Sequence, residues 1–297
     1  MRKHKVSVVI PAYNAEKTLR RCLESALDQT YENYDVIVVD NHSTDKTKEM
    51  IEEFKAKDPR IHYVFEFVKG RGAARNVGIE KAECDIVAMT DSDCVVPEDW
   101  LERLIMPITE EGESAVMGSE KNSIKNYWAT NIQKANEKFL KRLTNGGYIA
   151  LVDTKNFAIR TSIIKTIMFD SRFEAFEDYD FYLRLKSRVR IRFVPSVIVE
   201  HTHKSSFRQV VKLNFERAYW TANIYKKFKG IRDTKREPMF ESISVRNFCL
   251  FPFWMVLQFL LKPRRAFFIL VSELSWRTGI IWGLVKNEER FTYNLSR

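Results

Sequence analysis

The sequence predicts an α/β protein: a mostly parallel sheet with helices on both faces, then a helical, partly apolar C-terminal region. Three observations lead there. Short β-branched apolar runs recur through the first 90 residues. Stretches with a single apolar stripe at helical spacing separate them. The runs are apolar at nearly every position, the pattern of strands buried on both faces rather than one.

The elements follow in order. "KVSVVI" (5–10) is a β-branched run and reads as a strand. Asn14 stands where it can cap a helix over "AEKTLRRCLESALDQT", in which Leu19, Leu23, Ala26 and Leu27 form one stripe. "YDVIVVD" (34–40) is a second strand, and Ser43 or Thr44 in its tail can cap a helix running to about residue 57. "IHYVF" (61–65) is a third strand. Gly70, Gly72 and Gly78 punctuate a turn and a helix, and "DIVAMT" (85–90) is a fourth strand. After residue 110 the pattern loosens. Residues 123–145 read as a polar-faced helix, "NFAIR" (156–160) and "IRFVPSVIVEH" (191–201) as strands, with a helix near 177–187 between them. From about residue 205 the chain reads as helical, so the expected division is a domain over 1–205 and a basic, apolar helical region over 206–297.

Composition narrows the function. The 297 residues are 45% hydrophobic and 30% charged, which excludes a disordered chain. The net charge of +10 points to nucleic acid, an anionic membrane surface or phosphorylated substrates. Much of it is local: residues 204–240 carry ten Lys or Arg against three Asp or Glu. Cys22, Cys84, Cys94 and Cys249 have no CxxC spacing, so neither a zinc site nor a disulfide framework is expected, and a reducing compartment is. The apolar run before Pro11 is too short for a secretory segment. In the last quarter, "FCLFPFWMVLQFLL" (248–261) is short of a bilayer span, and "AFFILVSELSWRTGIIWGLV" (266–285) carries Glu273 and Arg277. Both read as interfacial helices, with packing on the body of the protein or on a second copy as the alternative.

The chemistry sits at strand ends. "VAMTDSDCVV" (87–96) closes an apolar run with Asp91-Ser92-Asp93. Two carboxylates beside buried chain are costly unless something binds them, and oxygen-only ligands suit a hard divalent cation, Mg²⁺ or Mn²⁺. Ligands of parallel sheets bind beyond the carboxyl ends of the strands. Asp40 lies at such an end too, so it and the aspartate pair can meet in space.

Four stretches carry a resemblance: "VSVVIPAYNAEKTLRRCLESALDQTYENYDVIVVDNHSTDKT", "GRGAARNVGI", "DIVAMTDSDCVVPEDWLERL" and "FEDYDFYLRLK". In order and spacing the chain resembles glycosyltransferase family 2 over roughly residues 5–203. The resemblance implies the GT-A fold, Rossmann-like, and an inverting transfer from a nucleotide-sugar. It implies that Asp91 and Asp93 hold a divalent metal, Mn²⁺ or Mg²⁺, against the donor diphosphate, Asp93 touching it directly and Asp91 reaching the ribose, or the metal through water, with Ser92 on the nucleotide side. Pro11, Ala12 and Tyr13 match the nucleotide cradle, Asp40 the residue that reads the base edge, and Arg75 the arginine facing the nucleotide. Asp178 matches the acceptor-side base, with Glu177 as its acceptor-side neighbour; Asp180 is the plainer alternative. His201 matches a histidine that completes the metal site, and His203 competes with it, because strand alternation would put both rings on one face if the strand continued.

One departure bears on the donor. Asp40-Asn41-His42-Ser43 replaces the usual Asp-Asp-Gly-Ser. Asn41 can bond ribose or base without charge, and His42 occupies a position that often has positive φ. A UDP-sugar is favoured, with GDP- and dTDP-sugars as alternatives. The implied acceptor is a glycan or a lipid-linked glycan, and the implied location is cytoplasmic, peripheral on the inner face of the cell membrane; a homo-oligomer remains open.

Two other functions compete. A nucleotidyltransferase also joins an α/β fold to an acidic metal site, but "PAYNAEKT" stands where its glycine- and lysine-containing phosphate loop belongs. A nucleic-acid binder would use the basic stretch with its aromatics, Phe207, Phe215, Tyr219, Trp220, Tyr225 and Phe228, yet no nucleic-acid motif is present, so no nucleic-acid partner is expected.

Overall fold

The computed structural model describes residues 4–229, 237, 240–243 and 245–286. The chain forms two units, one of residues 1–123 and 137–202, the other of 124–136 and 203–297. Arg232, Lys235 and Arg236 of the basic stretch, and the side chain of Cys249, lie outside the described residues.

The first unit opens as the pattern predicts. β1 (Val6–Ala12), β2 (Tyr34–Asp40), β3 (Ile61–Phe65) and β4 (Ile86–Met89) are parallel, in the order β3-β2-β1-β4. Helices α1 (Leu19–Leu27), α2 (Thr47–Lys57) and α3 (Arg71–Lys81) connect them. Val6, Val8, Val9 and Ile10 of β1 and Ile86–Met89 of β4 are all fully buried, so the central strands have no solvent face. On α1 the buried stripe is Leu19, Cys22, Leu23 and Ala26, and Leu27 is partly buried at its edge.

Two capping expectations fail. Asn14 does not cap α1, which begins at Leu19 without a side-chain cap. Asn14 instead takes φ 48°, and its Oδ1 accepts from the Thr44 backbone N–H at 2.8 Å. Neither Ser43 nor Thr44 caps α2; Asp45 accepts from Thr47 N–H at 3.0 Å, and Ser43 Oγ accepts from Asn14 N–H at 3.0 Å. The polar residues following β2 thus bind the loop following β1. Each is a good local cap, but the neighbouring loop offers donors that are harder to satisfy otherwise.

Beyond β4 the sheet becomes mixed. The remaining elements are β5 (Cys94–Val95), α4 (Trp100–Thr109), β6 (Ala115–Asn122), α5 (Tyr127–Leu143), the small hairpin β7 (Thr144–Asn145) and β8 (Tyr148–Ile149), β9 (Phe157–Arg160), α6 (Thr161–Ile167), α7 (Glu177–Leu185) and β10 (Ile191–His201). β9 runs antiparallel to both β4 and β6, while β10 runs parallel to β6 and antiparallel to β5 and β8. The register of β10 on β6 shifts between Phe193 and Ile198, around Pro195, which has no N–H to give a ladder. Asn156 repairs that gap. Its amide donates to Ser119 O at 2.8 Å and Val197 O at 2.9 Å and accepts from Trp100 Nε1 at 2.9 Å. Gly118 is required beside it, since a Cβ there would lie 2.2 Å from Asn156 Nδ2.

The second unit holds three long helices among the described residues: α8 (Phe207–Phe228), α9 (Val245–Leu261) and α10 (Pro263–Val285). Ser206 caps α8 by accepting from Gln209 N–H. α10 lies directly on α8 at Gly279 and Gly283, where a Cβ would meet Phe215 O at 2.4 Å and Tyr219 O at 2.6 Å. By length and composition α10 is apolar enough to cross a membrane, with mean hydropathy 1.3 over its most apolar window. Within its apolar stretch Arg277 and Glu273 face each other at 3.3 Å, and Arg277 also lies 4.2 Å over the Phe251 ring of α9.

Candidate active site

Strand ends of the first unit bring the acidic residues together. Arg75 lies at the middle. It sits on α3, its side chain is only 3% exposed, and it donates to Asp91 Oδ1 at 2.8 Å and Glu177 Oε1 at 2.5 Å. A guanidinium is always charged and its fork reaches two carboxylates at once. Asp91 and Glu177, 86 residues apart in sequence, therefore share one cation. Arg75 is held in place from the other side by the Phe169 ring, 5.8 Å away.

Asp178 follows at the start of α7. Phe176 before it takes φ 63°, a strained conformation for a bulky residue, which turns the chain so that Glu177, Asp178 and Asp180 all fall in the first helical turn. A helix N-terminus favours carboxylates. Asp178 is half-buried and accepts from Tyr179 N–H at 2.8 Å. Burial, then Glu177 and Asp153, push its carboxyl up to about 7, against the pull of Arg75 and Lys155. Asp180 differs: it is fully buried and paired with Arg184 at 2.8 Å, a structural arrangement.

The turn after β4 presents Asp91, Ser92 and Asp93. Cys94 N–H closes it on Asp91 O at 3.0 Å, and Cys22 Sγ–H reaches the same oxygen at 3.4 Å. Burial pushes the thiols of Cys22 and Cys94 up, so both are neutral supports. Asp93 is more open, and its Oδ2 lies 3.5 Å from His201 Nε2 at the end of β10. His201 Nδ1 is 3.2 Å from Glu120 Oε2. Burial would lower the pKa of His201, but the neighbouring Asp93 and Glu120 carboxylates outweigh it and push it up to about 9. β10 ends at His201. His203 belongs to the second unit, where its Nε2 is 2.9 Å from Gln133 Oε1.

Pro11 and Ala12 end β1 and Tyr13 follows it, with Ala12 buried and Tyr13 exposed. Asp40 is buried at the end of β2; it accepts from Ser43 N–H at 3.0 Å and from Tyr63 Oη at 3.4 Å. Burial and then Asp40 push the Tyr63 phenol up to about 12. Asn41 donates to Glu66 O and Val68 O and accepts from Gly70 N–H at 2.8 Å, so its amide shapes the 66–70 loop. His42 has φ 62°, as its position in the motif requires, and its ring contacts Phe67 O.

Three residues escape sequence reasoning: Glu120, Asp153 and Lys155. Lys155 Nζ is 2.7 Å from Asp153 Oδ2 and 3.3 Å from Glu120 Oε2. Burial would lower its pKa, but Asp153, Glu120 and Asp91 raise it well above the usual lysine value, so it stays charged. Nothing in "MGSEKN" or "DTKNF" marks these residues; the pairing of β6 with β9 and β10 does. Counted together, Asp91, Asp93, Glu120, Asp153, Glu177 and Asp178 outnumber Arg75, Lys155 and His201 two to one. Carboxylate oxygens with one imidazole, carrying a surplus of negative charge, fit a hard divalent cation such as Mn²⁺ or Mg²⁺.

Comparison with known proteins shows the family and the fold. Residues 7–168 match the family model described as Glycosyl transferase family 2. An uncharacterized glycosyltransferase of Haemophilus influenzae is 31% identical over 231 residues, 74% of this chain and 87% of that protein. Glycosyltransferase GlyG of Streptococcus pneumoniae is 37% identical over 118 residues, and the match spans only 39% of each chain. Among solved structures, the mannosyltransferase PcManGT of Pyrobaculum calidifontis, in complex with GDP-Man and Mn²⁺, superposes with a TM-score of 0.71 over 96% of this chain and 88% of that one, at 20% identity. Residues 1–349 of S. aureus TarS, in complex with UDP-GlcNAc, give 0.55 over 94% and 91%, at 18% identity. These likenesses show the GT-A fold.

Proposed function

The chain belongs to glycosyltransferase family 2, and from that premise we propose a metal-dependent, inverting transfer of a sugar from a nucleoside-diphosphate donor to a glycan or lipid-linked acceptor. The Arg75 bridge carries this reading. One buried cation couples Asp91, on the donor side, to Glu177 and its neighbour Asp178, on the acceptor side. A carboxyl pushed up to about 7 suits a general base working near neutral pH.

The donor nucleotide lies over Pro11, Ala12 and Tyr13. Asp40 accepts from the ring N–H of its base, Asn41 holds the loop beside it, and Ser92 faces the ribose. Asp91, Asp93 and His201 hold Mn²⁺ or Mg²⁺. Bound there, the cation neutralises charge gathering on the departing diphosphate. Asp178 takes the proton of the acceptor hydroxyl as that oxygen attacks the anomeric carbon from the face opposite the diphosphate, which inverts the linkage. Glu177, pinned by Arg75, keeps the proton affinity of Asp178 high. The GDP-Man and UDP-GlcNAc bound by the fold neighbours support a nucleotide-sugar donor.

The second unit supports contact with an anionic membrane surface, on the cytoplasmic side. Phe253 and Leu260 of α9 are 77% and 74% exposed, and Phe267, Ile281 and Trp282 of α10 are exposed as well. Lys262 sits between those helices and Arg264 in the first turn of α10, both exposed. Such a pairing of apolar side chains and cations favours the interfacial layer of a bilayer.

The test is a panel of UDP-, GDP- and dTDP-sugars with Mn²⁺ or Mg²⁺, read by nucleoside diphosphate release. One donor released as its nucleoside diphosphate is the expected result. Pyrophosphate release instead would identify a nucleotidyl transfer and overturn the proposal.

A further inference from the structure

We infer that Glu120 and Lys155 are positioning residues that aim His201 at the metal, an inference that rests on His201 being a metal ligand. The contacts form a chain running outward. Lys155 Nζ grips both Asp153 oxygens, at 2.8 and 2.7 Å, and reaches Glu120 Oε2 at 3.3 Å. The same Glu120 oxygen stands 3.2 Å from His201 Nδ1, and His201 Nε2 faces Asp93 Oδ2 at 3.5 Å. Exposure rises along the same path: Glu120 7%, His201 19%, Asp93 35%.

The backbone fixes this arrangement. Glu120 on β6 pairs with Val199 on β10, and His201 is two residues further, on the same face of the sheet. Lys155 comes from the short 3₁₀ turn Thr154–Asn156. That turn is anchored by Asn156, which is bonded to β6, β10 and Trp100. The lysine cannot drift without breaking that staple.

The contacts set the orientation of the ring. Glu120 Oε2 stands against Nδ1, so Nε2 is the nitrogen turned toward Asp93. Lys155, its own position fixed by Asp153, stands behind the Glu120 carboxylate. Lys155 acts without touching substrate or metal.

The experiment measures Mn²⁺ binding to the full-length protein, with the metal alone, by the electron paramagnetic resonance signal of the free ion. His201→Ala tests the underlying reading, and Glu120→Gln, Lys155→Met and Lys155→Arg test the inference. We expect Glu120→Gln and Lys155→Met each to weaken Mn²⁺ binding about 10–100-fold, as losses behind a metal ligand do. Lys155→Arg should recover most of it, because a cation of similar reach remains. Metal-free melting temperatures identify any variant that fails to fold, and the inference is then judged on the other position. Wild-type Mn²⁺ affinity in a folded Glu120→Gln or Lys155→Met, with His201→Ala weakened, would overturn the relay and leave the His201 ligand standing. Wild-type affinity in His201→Ala would remove the ligand and the relay together.

Discussion

Arg75 and Glu177 meet across 102 residues of sequence, Nη1 to Oε1 at 2.5 Å, with both side chains nearly fully buried. A pair so placed tolerates no loss of one partner, because the remaining charge has no water to turn to. Arg75→Met should therefore lower stability by about 3 kcal/mol, the scale for breaking one partner of a buried pair. Arg75→Lys should recover only part of that, since one ammonium cannot span Asp91 and Glu177 in the geometry of a fork. Urea unfolding of the three proteins checks the order.

The base assignment predicts a pH profile. Asp178 is protonated below about 7 in the metal-free protein, so kcat/KM should climb with pH up to that region and level off above it. A bound divalent cation would move the limb to lower pH. Asp178→Asn should cost on the order of 10²–10⁴ in turnover while donor binding persists. Loss of donor affinity in calorimetry would make Asp178 a donor ligand instead.

The same shift has a consequence for stability, with the opposite sense from an ordinary paired aspartate. The folded carboxyl holds its proton to a higher pH than the unfolded one, so folding gains from it at acid pH and loses that gain as pH rises through about 7. Asp178→Asn should accordingly melt above the wild type at pH 8 and close to it at pH 4. Equal melting temperatures at both values would show that Asp178 is not strained by its surroundings.

Metal removal should silence the enzyme reversibly. EDTA is expected to abolish transfer and added Mn²⁺ or Mg²⁺ to restore it. Asp93→Asn should remove most activity even at high metal. Full activity in EDTA would dismiss the cation from the mechanism.

Membrane contact is checked by sedimentation with anionic vesicles. Binding should weaken with salt without vanishing, because insertion of apolar groups is not screened. Phe253→Ser with Leu260→Ser should leave only the salt-sensitive part. A protein that stays in the supernatant at low salt would assign the exposed helix faces to a second copy.

The strands at the centre of the sheet were readable because burial on both faces forces an apolar residue at nearly every position, as in Val36–Val39 and, with Ser7 the exception, Val6–Ile10. The aspartates at their ends were readable for the complementary reason: charge next to such a run stands out. β6 was not. Its last four residues, Ser119–Asn122, are polar, because that end of the strand lines the site, and no alternation remains to recognise. Asn14, Ser43 and Thr44 misled in the same way, since a side chain suited to cap its own helix is equally suited to tie a neighbouring loop. Lys155 had no local signal at all; its partners come from other strands.

β10 enters the sheet last in sequence, between β6 and β8, and brings His201 with it. A growing chain that has passed residue 190 already holds Asp40, Arg75, Asp91, Asp93 and Asp178, yet the place for β10 is still open. Parallel pairing between strands this far apart forms slowly. The proposed metal site would thus be completed by the closing step of the sheet rather than by its early elements. Its occupation by a cation would report that the sheet has closed, and would hold the final strand in place once it has.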